Sequence, residues 1–409
     1  MKIARLLQLF FFLSIIIISS CSDNDEEFGD TSLISFEEAT FSEDELIIYL
    51  TEDPNGKTFS FGAGTYNFTN TIPLADIENL TIKGAGIDET YFDFSNSAST
   101  SGEGIAAMDC SNLLFCGFTI QNTNGGNAIT ARNITGLRID GVGTVWPESS
   151  PDNGAYGIYP VESDDVIIEN CYAQAAVDAG IYSGQNKRVI LRNNRMTLNV
   201  FGMEVENNID TEVYGNEFYV NTAGLLVYDL AGVSRIKSGS NCKVYNNTFT
   251  DNNQTNFAEL GSTLAADVPP GFGIIYSATS SLEITNNTFI DNETGSILGV
   301  AYFLVDFNYD PASDTLFTFL NEDIYIHDNS YSTGGGTYNQ AGILDRPAGL
   351  LVWVTIAMNG FVKPDIFLDD QDYTAVGVPY AGSRPVIEES SDPILVEASF
   401  AQAGEGIIV

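Results

Sequence analysis

Residues 191–196, LRNNRM, and residues 213–218, VYGNEF, share one pattern: an apolar residue, two variable residues, Asn, one further residue, and an apolar or aromatic residue. Six copies lie between Gly157 and Tyr331, and their Asn residues are Asn170, Asn194, Asn216, Asn247, Asn287 and Asn329. Asn tolerates the left-handed backbone of a tight bend, and stacked amides can hydrogen-bond to each other. We therefore predict that the six amides are aligned at one bend of successive coils, with the residues three before and two after each Asn pointing inward.

A second recurring feature of the repeat is a glycine at the start of a strand. These glycines are Gly157, Gly180, Gly202, Gly224 and Gly273, at successive intervals of 23, 22, 22 and 49 residues. A period near 22 residues is too short for a two-helix repeat, and strands rich in Val, Ile, Tyr and Phe indicate coils of β-structure. The sequence therefore predicts an all-β parallel β-helix, a solenoid in which the stack of coils is the folding unit.

The solenoid is predicted over residues 36–335 and needs protection at both ends. Apolar residues between acids at Phe41 to Leu50 predict a short helix that caps the first coil. Asn252 to Pro270 is polar and contains proline, which predicts a loop, and Tyr302 to Asn321 predicts a second insert. Residues 336–409 lose the period but keep strand patterns, and we interpret them as a strand-rich C-terminal cap.

The first residues resemble a targeting signal. Residues 1–20 have a basic start, an apolar run and small residues at the end, which is typical of a secretion signal. Ile18-Ser19-Ser20-Cys21 resembles the bacterial lipobox, which implies that Cys21 is acylated. Residues 21–35 are predicted to be an acidic tether, and Ser22 to Glu27 within it resemble the export signal of Bacteroidetes surface lipoproteins. We expect a lipoprotein on the outer face of the outer membrane, with a periplasm-facing anchor as the second choice.

The charge and the cysteines limit the partners and the redox state. A formal charge of −39 disfavours nucleic acid, because phosphate binding needs clustered Lys and Arg. It also disfavours acidic glycans unless a divalent cation such as Ca²⁺ bridges the surfaces, and it could serve solubility alone. The remaining cysteines, Cys110, Cys116, Cys171 and Cys242, could form two disulfides. Buried thiols are preferred, since Cys242 falls on an apolar repeat position.

Two upstream segments carry a family resemblance. Phe61 to Tyr66, FGAGTY, and Leu80 to Gly86, LTIKGAG, resemble the opening coils of pectate-lyase-like β-helices. Residues 55–335 resemble the right-handed parallel β-helix superfamily, which includes pectate lyases, polygalacturonases and alginate epimerases, and are most similar to the secreted parallel β-helix repeat proteins. That resemblance implies a secreted protein or lipoprotein, with a dihaem c-type cytochrome as an expected partner.

One segment tests whether epimerase chemistry is carried over. Tyr156 to Glu162, YGIYPVE, resembles the epimerase segment YGFDPH, whose Asp and His abstract a proton. Tyr159 stands in place of that Asp and Val161 in place of that His, so the resemblance does not imply this chemistry here. The one histidine of the chain, His327, is interpreted as an ordinary outward residue without partners.

The opening glycines also predict a functional face. The second residue after each glycine should point away from the core, which gives Tyr159, Tyr182, Glu204, Leu226 and Ile275. The fourth and fifth positions add Glu162, Glu206, Tyr228 and Asp229. Tyrosine rings and carboxylates on strands roughly 4.8 Å apart would form a ladder that suits sugar rings.

Two functions remain open for this face. The first is a surface module without catalysis that binds a glycan or a partner protein. The second is a lyase, hydrolase or epimerase acting on uronate glycans, in which Arg235 and Lys237 would neutralise the substrate carboxylate. A third interpretation is that tyrosine and glutamate only suit an exposed strand. Asp164-Asp165 is interpreted as a turn, and no catalytic residue is assigned.

Overall fold

Parallel strands from successive coils form three long sheets in the computed structural model, which describes residues 32–302, 314, 316–332, 364–369, 384–390 and 393–398. Sheet A consists of β1 Ser32–Phe36, β2 Lys57–Phe61, β5 Glu78–Lys83, β8 Ser111–Cys116, β11 Thr135–Asp140, β14 Asp164–Glu169, β17 Lys187–Arg192, β20 Ile209–Tyr214, β23 Ser240–Tyr245, β26 Ser280–Thr285, β29 Glu322–His327 and β32 Val386–Glu388. Sheet B consists of β3 Gly64–Asn67, β6 Thr90–Asp93, β9 Thr119–Gln121, β12 Gly143–Val145, β15 Tyr172–Gln174, β18 Arg195–Thr197, β21 Glu217–Tyr219, β24 Thr248–Thr250, β27 Thr288–Ile290 and β30 Ser330–Ser332. Sheet C consists of β4 Ile72–Ala75, β7 Ile105–Met108, β10 Ile129–Arg132, β13 Tyr156–Val161, β16 Ala179–Gly184, β19 Phe201–Glu206, β22 Ala223–Tyr228, β25 Phe272–Ser277, β28 Gly295–Val300, β31 Ile366–Asp369 and β33 Leu395–Ala398. From β2 to β31 each coil contributes one strand to each sheet, which confirms the predicted parallel β-helix.

The core is one continuous column inside the three sheets. The residues three before the Asn of the last five repeat copies are all buried in it, as are most of those two after. The aromatic members form a stack along the axis, with ring centroids 4.5 Å apart for Phe218 and Phe249, 5.0 Å for Phe249 and Phe289, and 5.4 Å for Phe289 and Tyr331. Each buried side chain contributes about 1.5–3 kcal/mol, so the stack of coils is held by burial that no single coil could achieve.

A ladder of amides lies at the bend between sheets A and B, as predicted for five of the six Asn residues. Each Nδ2 donates to the next Oδ1 at 2.9–3.1 Å through Asn194, Asn216, Asn247, Asn287 and Asn329. Asn170 is an exception, because Ile168 rather than Ile167 is in register with Leu191. Cys171 therefore occupies the ladder position, and its N–H donates to Asn194 Oδ1 at 2.9 Å.

The prediction that one Asn both forms the bend and joins the ladder is wrong, because two consecutive residues have these roles separately. The left-handed residues, with φ between 54° and 66°, precede the ladder: Asn170, Asn193, Gly215, Asn246, Asn286 and Asp328. A bend needs the left-handed residue on the outside, whereas a ladder needs an inward side chain. One residue cannot satisfy both.

A second amide ladder, which the sequence did not lead us to expect, lies at the bend between sheets B and C. Its Nδ2 to Oδ1 distances are 3.0 Å from Asn199 to Asn221, from Asn221 to Asn252, and from Asn252 to Asn292. Asn252 therefore belongs to the solenoid, and the insert predicted to begin there starts one residue later.

The N-terminal helix caps the first coil as predicted. Helix α1 spans Glu43–Glu52 after the 3-10 turn Glu38–Thr40, and the Ser42 side chain accepts from the Glu45 N–H at its start. Leu46 and Leu50 are buried in the central core, so the apolar face of the helix covers core residues that would otherwise meet solvent.

Both predicted domain boundaries differ from the strand pairing. Strand β1 begins at Ser32, inside the segment assigned to the tether. Strands β31, β32 and β33 continue the parallel pairing of sheets C and A beyond residue 335, inside the predicted cap. Residues 1–31, with Cys21, and residues 303–313 of the second insert lie outside the described residues.

Three of the four cysteines in the solenoid are buried free thiols, as preferred from the sequence: Cys110, Cys171 and Cys242. Burial raises the pKa of the Cys242 thiol to about 12, which keeps it protonated. Cys116 is buried but is not a free thiol, so the preference does not hold there.

Across the described residues, no helix is long and apolar enough to span a membrane.

Candidate functional site: tyrosines and buried acids on sheet C

The residues counted from the opening glycines do share one face. Tyr182, Glu204, Leu226 and Ile275 are register partners across β16, β19, β22 and β25. The residues immediately before them in the chain are buried in the central core. The face predicted from the glycine spacing is therefore the outer face of sheet C.

Much of this face is covered, which corrects the prediction of an exposed ladder. The insert of residues 253–270, with its 3-10 turn Leu264–Asp267, contributes Ala258, Ala265 and Ala266 to an apolar cluster that includes Tyr182 and Phe201. Only 3% of Tyr182 and 2% of Glu204 remain exposed. The polar composition of the insert suggested a solvated loop, but its small alanine side chains fit closely onto the strands.

Three tyrosines form a compact group, the tyrosine platform, defined as Tyr156, Tyr159 and Tyr182. Ring centroids are 4.7 Å apart for Tyr156 and Tyr159, 4.5 Å for Tyr159 and Tyr182, and 4.9 Å for Tyr156 and Tyr182. Tyr156 and Tyr159 are only partly buried. The platform thus has one buried end under the insert and one end that solvent reaches.

Three carboxyl groups, the acid cluster, adjoin the platform: Asp178, Glu204 and Glu206. The carboxyl groups of Asp178 and Glu204 are hydrogen-bonded to each other, and the Tyr156 hydroxyl donates to Asp178 Oδ2 at 3.2 Å. Glu206 accepts from the Tyr228 hydroxyl at 2.7 Å, and the neighbouring Tyr182 hydroxyl acts to lower its pKa. The predicted residues Glu204, Glu206, Tyr182 and Tyr228 are therefore brought together.

Burial decides the protonation of this cluster. It raises the pKa of Glu204 well above its usual range, and the neighbouring Asp178 carboxyl raises that pKa further. Burial also raises the pKa of Asp178. Two carboxyl groups in one dry site cannot both ionise, so the pair retains a proton. Burial also raises the pKa of Glu206. The Tyr228 and Tyr182 hydroxyls act to lower this pKa, but burial outweighs them.

Asp178 and Tyr156 are site residues that sequence reasoning missed. Asp178 lies two residues before Gly180, in the bend that leads into β16, and no repeat position predicts its direction. Tyr156 lies one residue before Gly157, and strict strand alternation would point it inward. Only the tertiary structure shows that Tyr156 belongs to the platform and that Asp178 adjoins it.

Asp229 supports a loop next to the site. The Gly239 N–H donates to its Oδ2 at 2.6 Å, which fixes the ends of the segment 230–238. Burial raises the pKa of Asp229 to about 8. Its carboxyl group lies against the backbone N–H groups of Gly239 and Asn207, so it holds the loop rather than extending the ladder.

The predicted electrophilic helpers serve the same loop, which corrects their assignment. Arg235 donates to Asp164 Oδ1 at 2.8 Å and to the Ser163 carbonyl at 3.1 Å, while Lys237 pairs with Asp314 at 3.3 Å. Glu162 pairs with Arg132 at 3.0 Å and accepts from the Ser234 hydroxyl. Arg235 and Lys237 are committed to carboxylates of the chain itself.

His327 has partners, contrary to its sequence interpretation. It lies on the outer face of sheet A, where its ring nitrogens are 3.1 Å from Glu283 Oε1 and 2.9 Å from Asp328 Oδ2. Burial lowers the pKa of His327, but the two carboxylates outweigh it and the pKa is raised overall. It lines a groove of about 920 Å³ with side chains of both charges, including Arg188 and Lys243.

Metal binding has no support in the described ranges, where no group of His, Cys, Asp and Glu side chains is arranged to hold an ion. The calcium ion considered from the sequence stays a prediction.

Comparison with known proteins bears on the fold. Residues 133–308 match the family model described as right handed beta helix region. A polygalacturonase from Erwinia carotovora ssp. carotovora is 12% identical, with a TM-score of 0.51 over 92% of this chain and 98% of that chain. This chain has the right-handed parallel β-helix fold. The handedness implied by the sequence resemblance is thus confirmed.

Other solved structures are similar to this right-handed β-helix. The A-module of the mannuronan C-5 epimerase AlgE4 from Azotobacter vinelandii is 14% identical, with a TM-score of 0.45 over 87% of this chain and 94% of that module. Endopolygalacturonase I from Stereum purpureum is 13% identical, with a TM-score of 0.44 over 90% of this chain and 99% of that chain. The comparison with curated proteins gave no match.

Proposed function

We propose that this protein binds a glycan at the open end of the tyrosine platform. The observation that carries the proposal is the stacked, partly buried pair Tyr156 and Tyr159, which leads from solvent to the hydrogen-bonding groups of the acid cluster. Aromatic rings pack against the CH groups of sugars, and carboxyl and phenol oxygens exchange hydrogen bonds with sugar hydroxyls.

The neighbouring strand extends this surface. Thr130 on β10 is the register partner of Tyr159, and its hydroxyl donates to Glu103. Asn127 Nδ2 donates to Thr130 Oγ1 at 3.1 Å. These side chains offer directed polar contacts beside the rings, which a glycan site needs in addition to an apolar surface. The β-helix fold, shared with a polygalacturonase, is consistent with a glycan ligand.

Replacing Tyr159 with alanine should weaken glycan binding at least about tenfold, or roughly 1.4 kcal/mol, because it removes a central ring of the platform. The measurement is isothermal titration of the folded chain against a panel of oligosaccharides. Tyr245→Ala is the matched control, since Tyr245 stacks on Tyr214 at 4.9 Å on sheet A, as Tyr159 stacks on Tyr156.

Equal losses in both variants would mean that binding does not depend on the platform. Absence of binding across the panel would contradict the proposed function and would favour the alternative of a protein partner, for which the sequence resemblance suggested a c-type cytochrome.

Hydrolysis of the bound glycan is a second candidate function, favoured by the proton held between Asp178 and Glu204. Glu204 would protonate the leaving glycosidic oxygen, and Glu206 would accept a proton from the water that attacks the anomeric carbon. Glu204 is 2% exposed, so this reaction requires the insert 253–270 to move aside.

For this candidate, new reducing ends should appear when the protein is incubated with its glycan. Glu204→Gln should lower the rate by at least about 100-fold, since it removes the acid proton. Glu217→Gln, on the exposed surface of sheet B, should leave the rate unchanged. If the wild-type protein gives no cleavage products from a glycan that it binds, hydrolysis is ruled out and binding stands alone.

We also propose that the protein acts outside the cytoplasm on a lipid anchor at Cys21. The support for this is the signal-like segment 1–20 and the lipobox resemblance. An anchor at that position would present the β-helix to glycans of the surroundings.

A further inference from the structure

We infer that the glycan taken by the tyrosine platform is neutral rather than a uronate, because the arginines beside the platform are committed to acids of the chain. This inference rests on the proposed function and specifies its ligand class. It departs from the sequence alternative, in which Arg235 would neutralise a substrate carboxylate.

Within the part of the chain that the structure describes, the arginines beside the platform are already paired with carboxylates. Arg132 lies on β10, where it is the register partner of Val161, and its guanidinium pairs with Glu162 at 3.0 Å. Arg235 pairs with Asp164 at 2.8 Å and also donates to two backbone carbonyls. A uronate carboxylate at the platform would have to displace Glu162 from Arg132, or remain without a cation.

The other groups at the site favour uncharged hydroxyls. Glu103 and Glu162 lie at the open end, and Asp178, Glu204 and Glu206 lie behind the tyrosines. Carboxylate oxygens accept hydrogen bonds from sugar hydroxyls but repel another carboxylate, and the repulsion is stronger where water is excluded. A neutral sugar at the open end can donate its hydroxyls to Glu103 and Glu162 without this repulsion, while Glu204 stays covered by the insert.

A chemically matched pair of ligands tests this inference. Oligomers of polygalacturonate and of alginate would be compared with their carboxyl-reduced forms, which keep the linkage and carry a neutral CH₂OH group in place of each carboxylate. Titrations use the full chain at about 0.5 M NaCl, where the Debye length is about 4 Å and the formal charge of −39 is screened. We expect at least one reduced oligomer to bind at least about tenfold tighter than its uronate parent.

Two glutamine variants show whether the local pairing causes the preference. Glu162→Gln frees Arg132 at the platform and should narrow the difference in affinity between the uronate and the carboxyl-reduced oligomers. Glu217→Gln frees Arg195, which it pairs with at 2.9 Å on sheet B, and should leave the difference unchanged.

The possible failures are distinguishable. Equal or tighter binding of the uronate form at high salt would overturn the inference while leaving the proposed function standing. A preference that disappears at high salt would also overturn it, since the net charge would then be the cause. Failure of every oligomer, and of the broader panel, would overturn the proposed function itself.

Discussion

Replacing Asn216 with alanine is expected to lower the free energy of unfolding by about 3–5 kcal/mol, because it leaves several buried polar groups without partners. Asn216 Oδ1 accepts from the backbone N–H and Nδ2 of Asn194 at 2.9 and 3.1 Å. Its Nδ2 donates to the Leu191 carbonyl at 2.9 Å and to Asn247 Oδ1 at 3.0 Å. Alanine removes all four bonds in the middle of the ladder, where water cannot replace them.

The measurement is denaturant unfolding followed by circular dichroism and by tyrosine fluorescence, because coils that unfold separately would give different midpoints with the two probes. Asn67→Ala is the control, at an exposed position of β3, and should change stability by less than about 0.5 kcal/mol. A loss below about 1 kcal/mol at Asn216 would mean that the ladder follows from the fold and does not stabilise it.

Asp229 is expected to make the protein less stable as the pH rises from 4 to 8. Burial raises its folded pKa from 3.8 to about 8, so the folded state binds the proton more tightly than the unfolded state. The stabilisation is fully present below the unfolded pKa and is lost as the pH rises through the folded value. A tenfold difference in proton affinity between the two states corresponds to about 1.4 kcal/mol, so the change in the free energy of unfolding is on the order of 5 kcal/mol at most.

Asp229→Asn should therefore flatten the pH dependence between 4 and 8 and should be more stable than the wild type at pH 8, while an amide oxygen can still accept from the Gly239 N–H. Unfolding curves at closely spaced pH values measure this. Asp165→Asn is the control with the opposite sign, because the hydrogen bond from Arg188 lowers the pKa of exposed Asp165. If the free energy of unfolding falls equally with pH in the wild type and in Asp229→Asn, Asp229 does not cause the loss of stability.

The repeat could be predicted because its physical causes are local. The number of residues between Leu191, Asn194 and Met196 is set by the end of one strand, one bend and the start of the next strand. Burial selects apolar residues on both sides of the bend. The register error at Asn170 arose because two adjacent residues at each bend can be Asn for different reasons. Sequence spacing alone does not separate a left-handed residue from an inward amide.

The site was predicted only in part, for reasons of distance along the chain. Strand periodicity placed Tyr182, Glu204 and Glu206 on one face, and register brought them together. It could not show that the insert 253–270 covers them, since that contact joins segments more than 50 residues apart. Nor could it show that Arg235 reaches Asp164, 71 residues away, instead of a ligand.

The sequence by itself determined the coil, its period and the residues that fill the column, because strand alternation, bend conformation and burial act within one turn of the chain. The tertiary structure decided which outward residues meet solvent and which charges are already neutralised. Those outcomes depend on inserts folding back over the sheets and on ion pairs between coils, and both belong to long-range packing that no local pattern records.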